Sequence, residues 1–149
     1  MDLILWRHCD AVGSTPDALR PLTPRGHDEA RRMARWLTPR LPEDCRIVAS
    51  PAVRAQQTVQ ALHRHYEIAP LLAPGASIAD VLKVAGWPAA VLTTLIVGHE
   101  PTLGAVVGHL LHQMERPLDK GAIVWLSSAG DDEAAPALVR HALAPHALP

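Results

Sequence analysis

The sequence predicts a three-layer α/β fold, with a mostly parallel central sheet and helices on both faces. Three observations carry this expectation. Apolar runs alternate with amphipathic stretches along the 149 residues. Thr23-Pro24 and Ser50-Pro51 each place a capping hydroxyl before a proline, the signature of a helix start. Leu92 to Val97 is β-rich and apolar, the best candidate for a central strand.

In chain order, Leu3-Ile4-Leu5-Trp6 reads as the first strand. Asp10 to Leu22, with Gly13, Ser14, Pro16 and Pro21, reads as a loop. The first helix opens at Thr23-Pro24, carries the apolar stripe Ala30, Met33, Ala34 and Leu37, and is stopped by Pro39 and Pro42. Arg46 to Ala49 is a short strand, and Ser50-Pro51 opens a helix expected to run to about His65. A loop containing Pro70, Pro74 and Gly75 follows, then a short helix from Ile78 to Val84. After the central strand, Gly98-His99-Glu100-Pro101 turns into a helix reaching about Gln113. Ala122 to Leu126 and Ala137 to Ala142 read as late strands split by Gly130-Asp131-Asp132, and the tail from Ala144 to Pro149 is expected to fray.

The length fits one domain, residues 1–149, with room for a core. A net charge of −1 and 3% aromatic residues argue against nucleic acid, since basic excess and stacking rings are both lacking. No apolar run approaches the roughly 20 residues of a membrane span, and the start shows no targeting signal. Cys9 and Cys45 have neither metal nor disulfide spacing, so a cytoplasmic, reducing setting is expected.

Chemistry concentrates at the expected strand ends. Arg7-His8 follows the first strand, Arg54 lies in the first turn after the second, and His99 follows the central one. Parallel neighbours would gather these groups at one rim of the sheet, where open α/β folds build their sites. Two guanidiniums and two imidazoles beside helix N-termini make a phosphate pocket. A neutral imidazole there is a competent nucleophile toward phosphorus.

Arg7-His8, then Ser50-Pro51 with Arg54-Ala55-Gln56-Gln57-Thr58, then Val97-Gly98-His99-Glu100-Pro101 resemble the motifs of the histidine phosphatase superfamily, the phosphoglycerate mutase-like group. The short chain and Leu22-Thr23-Pro24-Arg25-Gly26 are similar to its SixA-type phosphohistidine phosphatase branch. The resemblance implies a phosphoglycerate mutase-like fold and His8 as a nucleophile that becomes phosphohistidine. It implies Arg7, Arg54 and a protonated His99 as the groups holding the phosphoryl oxygens, with no metal or cofactor. The expected substrate is a phosphorylated protein of the histidine phosphotransfer type. A small phosphate ester is the alternative, and a non-catalytic phosphate-binding module is the reading from another class. Neither nucleic acid nor a membrane is expected as a partner.

The chain departs from the family pattern in two places. Cys9 stands where glycine is usual, either as a small buried replacement or as an oxidation-sensitive thiol beside the nucleophile. Cysteine-based phosphatases place an arginine six residues after such a cysteine; here that position is Thr15, so that reading fails. The glutamate that larger relatives use as a proton donor is missing from Pro70 to Pro74. Asp10 and Glu100 flank the motifs as further candidates for substrate contact, with a salt bridge or helix cap as the plainer alternative. An absent acid suits phosphohistidine or another activated phosphoryl donor, because imidazole, with a conjugate-acid pKa of about 6.5, leaves readily whereas an alkoxide needs a proton.

Other groups carry less. His109, His112 and Glu115 share a helical face but lack partners for a closed metal site. Arg31, Arg32 and Arg35 read as the wet face of the first helix, and Arg20 and Arg25 as possible extensions of the pocket. With no long insertion, the pocket is expected to be open and shallow.

Overall fold

Leu3 and Leu5 pack to one side of the first strand while Ile4 and Trp6 pack to the other, all four fully buried. That two-sided alternation is what a strand covered by helices on both faces requires. The computed structural model describes residues 1–148. Its elements are β1 (Asp2–Arg7), α1 (Pro24–Leu37), β2 (Arg46–Ala49), α2 (Val53–Gln60), β3 (Glu67–Ile68), α3 (Ile78–Ala85), β4 (Thr94–Gly98), α4 (Thr102–Leu111), β5 (Ile123–Ser127) and β6 (Leu138–Leu143). The strands form one sheet in the order β3-β2-β4-β1-β5-β6. β3, β2, β4 and β1 are parallel, and β5 and β6 are antiparallel additions.

Helices α1 and α2 cover one face. Met33, Ala34 and Leu37 of α1 and Ala55 and Val59 of α2 pack with Ile4, Trp6, Ile47, Leu95 and Val97. Helices α3 and α4 cover the other, where Val81, Leu103, Val106 and Val107 meet Leu3, Leu5, Val48 and Ile96. The expected three-layer α/β architecture is therefore present. Among the described residues no helix is long and apolar enough to cross a membrane.

Local signals hold in part. Thr23 caps α1 as expected, its hydroxyl accepting the Gly26 amide at 3.0 Å, with Pro24 at the first helical position. Ser77 and Asp80 form a reciprocal capping box on α3, and Gly86 ends that helix in the left-handed region at φ 70°. Gly26 is required by close approach, because a Cβ there would overlap the Asp10 carbonyl oxygen.

Five expectations need correction. Ser50 does not cap α2: the N-cap is Ala52, and the helix starts at Val53. The helix also ends at Gln60 rather than His65, because His63 takes a positive φ of 51° and turns the chain. The two-residue strand β3 then pairs with Val48 and Ala49, an edge that neither length nor alternation announces. The tail is tied down as far as Leu148: Ala144 and Pro145 are buried, and the Arg32 guanidinium donates to the carbonyls of Pro145 and Leu148. Pro149 lies outside the described residues. Arg32 is thus a structural clamp, not a wet-face charge.

Candidate active site

Register brings the strand ends level. Arg7 of β1 pairs with Gly98 of β4, and Ala49 of β2 pairs with Val97 of the same strand. The next residues are His8, His99 and Ser50. The His8 amide donates to the Gly98 carbonyl at 3.1 Å and the Ser50 amide to the Val97 carbonyl at 3.0 Å. Since β4 lies between β2 and β1, His99 is set between Ser50 and His8. The His8 and His99 rings stand 5.2 Å apart, centroid to centroid.

His8 is 7% exposed. Its Nδ1 lies 2.8 Å from the Cys9 carbonyl oxygen, which can only accept, so Nδ1 carries the proton and Nε2 keeps its lone pair. The Arg54 Nε donates toward that Nε2 at 3.4 Å. Burial lowers the His8 pKa to about 4; the Cys9 carbonyl opposes this, and the guanidiniums of Arg54, Arg7 and Arg20 add to it. The ring is neutral at neutral pH.

Arg54 projects from the first turn of α2, and its side chain is 5% exposed. Besides His8, its guanidinium donates to the Asp17 carbonyl at 2.9 Å and to Asp17 Oδ2 at 3.1 Å. Asp17, whose side chain is 57% exposed, also accepts from Arg20 at 2.9 Å. These bonds hold its carboxyl below the usual range. Arg20 and Arg54 are thus joined through Asp17. Arg7 reaches the Leu118 carbonyl through Nη1 at 2.8 Å, while its Nε is buried with no protein partner.

His99 is 5% exposed, and its Nε2 lies 2.7 Å from Ser50 Oγ. Burial lowers its pKa to about 3, with the charges of His8 and Arg54 adding to the effect and Asp17 opposing it. His99 is therefore neutral in the free protein. Two cations already occupy the pocket, and only an incoming dianion would offset their field.

The flanking carboxylates serve the fold. Asp10 accepts from the Thr23 hydroxyl at 2.7 Å and from Lys120 at 3.0 Å, which hold its pKa low. It ties the loop after β1 to the cap of α1. Glu100 accepts the Gly104 amide at 2.8 Å inside the first turn of α4, and burial raises its pKa. Neither hydrogen-bonds to His8, Arg54 or His99, and the ion-pair and helix-turn contacts of the plainer reading are both present. Cys9 is fully buried, and burial with nearby Glu29 pushes its thiol up to about 12, so it is a packing residue rather than a reactive one.

A separate cavity of about 570 Å³ is lined by Arg7, Asp10, Arg25, Glu29, Arg32 and Lys120 among others, but not by His8, Arg54 or His99. Arg25 therefore borders this neighbouring cavity, and its Glu29 ion pair is loose at 3.7 Å. His112 ends α4 in the left-handed region, and among the described residues no group of three histidine, cysteine or carboxylate side chains could hold a metal. Sequence reasoning placed Arg7, His8, Arg54 and His99 together and missed two partners. Asp17 lay in an unpatterned loop, and Ser50 was taken for a helix cap.

The chain matches the model of the histidine phosphatase superfamily (branch 1) over residues 3–75. It is 34% identical over 122 residues to the phosphohistidine phosphatase SixA of Escherichia coli, covering 74% of each chain. The solved structure of the protein histidine phosphatase SixA complexed with tungstate superposes with a TM-score of 0.80 at 27% identity, covering 98% of each chain. A SixA-named protein from Nakamurella multipartitia gives 0.83 at 30% identity, covering 98% of this chain and 96% of its own. A phosphoserine phosphatase from Entamoeba histolytica shares the fold, at 0.70 and 16% identity over 95% of each chain. The chain belongs to the histidine phosphatase superfamily, and it resembles SixA proteins along nearly its whole length.

Proposed function

We propose that this protein is a cytoplasmic phosphohistidine phosphatase acting on histidine-containing phosphotransfer proteins through a covalent intermediate at His8. The observation that carries the reading is the tautomer of His8. A buried ring, protonated on Nδ1, keeps an Nε2 lone pair beside the Arg54 guanidinium. In the first step that lone pair forms a bond to phosphorus while the bond from phosphorus to the substrate nitrogen breaks. In the second, water attacks the phosphorus, the His8 nitrogen leaves, and inorganic phosphate departs. Arg7, Arg54 and His99 stabilise the equatorial oxygens in both steps. Binding of tungstate by the related SixA protein is consistent with a pocket for a tetrahedral oxyanion.

The substrate class follows from the leaving group. Asp17, the carboxylate that bonds Arg54, is held ionised by Arg54 and Arg20 and is a poor proton donor. A nitrogen leaving group near pKa 6.5 needs less help than an alkoxide. The test compares hydrolysis of a phosphohistidine-bearing phosphotransfer protein with that of sugar and aryl phosphates, using His8→Ala as control. The phosphohistidine protein should be hydrolysed with a far higher kcat/KM. Equal rates on sugar phosphates would move the assignment to phosphate esters, and no turnover of any donor would leave a binding module.

A further inference from the structure

Ser50 and His99 together define the second imidazole of the pocket. Ser50 is fully buried at the end of β2, where its own amide is fixed to the Val97 carbonyl. The following proline has no N–H, so the next amide available to the hydroxyl is that of Ala52, which donates to Ser50 Oγ at 3.1 Å. The same oxygen stands 2.7 Å from His99 Nε2. His99 Nδ1 is buried and has no protein partner.

Hydrogen accounting separates the two neutral tautomers of His99. A hydroxyl has one hydrogen to donate and two lone pairs to accept. If Nε2 carried the proton, it would donate to Ser50 Oγ. The buried Ser50 hydrogen would then have no acceptor among the contacts the residue makes, and Nδ1 would be a bare acceptor. If Nδ1 carries the proton, the Ser50 hydroxyl donates to Nε2 and accepts from Ala52. Only the Nδ1–H then remains unpaired. Buried polar groups are rarely left unmatched, so the second arrangement is favoured. It also suits the pocket's ligand, since a phosphoryl oxygen needs donors and repels a lone pair.

We infer that Ser50 is a positioning residue that fixes His99 as the Nδ1–H tautomer, presenting a neutral, pre-aimed donor to a phosphoryl oxygen. The pocket thus holds two imidazoles with complementary duties. In His8 the Cys9 carbonyl accepts from the Nδ1–H and leaves Nε2 as the free lone pair; in His99 the Ser50 hydroxyl donates to Nε2 and leaves the Nδ1–H as a free donor. The consequence for turnover rests on the phosphatase reading above, but the tautomer does not.

Nitrogen-15 histidine NMR at pH 7 reads it directly, because protonated and unprotonated ring nitrogens resonate far apart. In the wild-type protein His99 should show a protonated Nδ1 and a bare Nε2, and added tungstate should move the Nδ1 resonance more than the Nε2 resonance. Ser50→Ala should redistribute the proton toward Nε2 and lower kcat roughly tenfold to a hundredfold with His8 resonances unmoved, and Ser50→Thr should restore both. A wild-type His99 protonated on Nε2, or an unchanged tautomer in folded Ser50→Ala, overturns the inference. If Ser50→Ala does not fold, the wild-type spectrum still decides. An inactive protein with the expected His99 spectrum would count against the phosphatase reading alone.

Discussion

The Arg54 Nε sits 3.4 Å from the Nε2 of His8, while the outer nitrogens of the same guanidinium hold Asp17 at 2.9 and 3.1 Å. One planar cation therefore links His8 to Asp17. Its placement depends on α2 starting just beyond β2, so that the first helical turn faces the strand end carrying His8.

Arg54→Ala should lower kcat/KM by about 10²–10³, the range seen when one preorganised donor to a developing oxyanion is removed. Arg54→Lys should recover only part, because a point charge cannot replace a fork that addresses His8 and substrate at once. Steady-state kinetics on a phosphohistidine protein measure both. A loss below about threefold in Arg54→Ala would exclude Arg54 from the transition state.

Asp17→Asn should strengthen inhibition by inorganic phosphate or tungstate several-fold. The ionised carboxylate competes with an incoming oxyanion for Arg54 and Arg20, and the amide removes that charge while keeping an oxygen to accept from Arg54. Inhibition constants at fixed ionic strength check this. Weaker inhibition in Asp17→Asn would mean that Asp17 chiefly aims Arg54.

Acid should destabilise the fold through the two buried imidazoles. In the unfolded chain they titrate near 6.5, but in the native protein near 4 for His8 and 3 for His99. Between these values the unfolded state binds protons that the native state refuses, so stability rises with pH through this window and is lost as pH falls from about 6.5 toward 4. Thermal melts across that range should show Tm falling with pH, and His99→Asn should flatten the decline. A Tm independent of pH between 6.5 and 4 would contradict the buried, neutral rings.

Cys9→Gly should keep activity within a few-fold and lower stability by about 1–2 kcal/mol, through a small void and a freer backbone. Cys9 lies in a buried cluster with Leu22 and Ala30, and its sulfur is 3.2 Å from where a Cβ on Gly121 would stand. Denaturant melts test the stability change. Peptide mapping after alkylation at pH 8 should find Cys9 unmodified until the protein is unfolded; ready labelling of the native protein would restore a redox role.

How far the site was legible depends on what kind of information each residue carries. His8 and His99 could be read because strong apolar runs end two residues before them, and Arg54 because a four-residue strand and a proline precede its helix. Ser50 was misread because a serine before proline signals a helix cap locally, whereas its actual partner, His99, is 49 residues away. Asp17 was invisible for a related reason. Its loop has no periodicity, and only folding brings it against Arg54, 37 residues on. Strand β3 offered no pattern because both its residues are exposed and it is only two residues long. The neutral state of His99 also required tertiary knowledge, since burial and neighbouring cations set it rather than its motif.

The central claim is that His8 carries the phosphoryl group. The most direct measurement incubates the protein with a radiolabelled phosphohistidine donor, quenches in alkali, and maps the label. Acid-labile phosphate should appear on His8 in the wild-type protein and vanish, together with turnover, in His8→Ala. Label of equal amount in His8→Ala, or turnover at the wild-type rate without His8, would contradict the account.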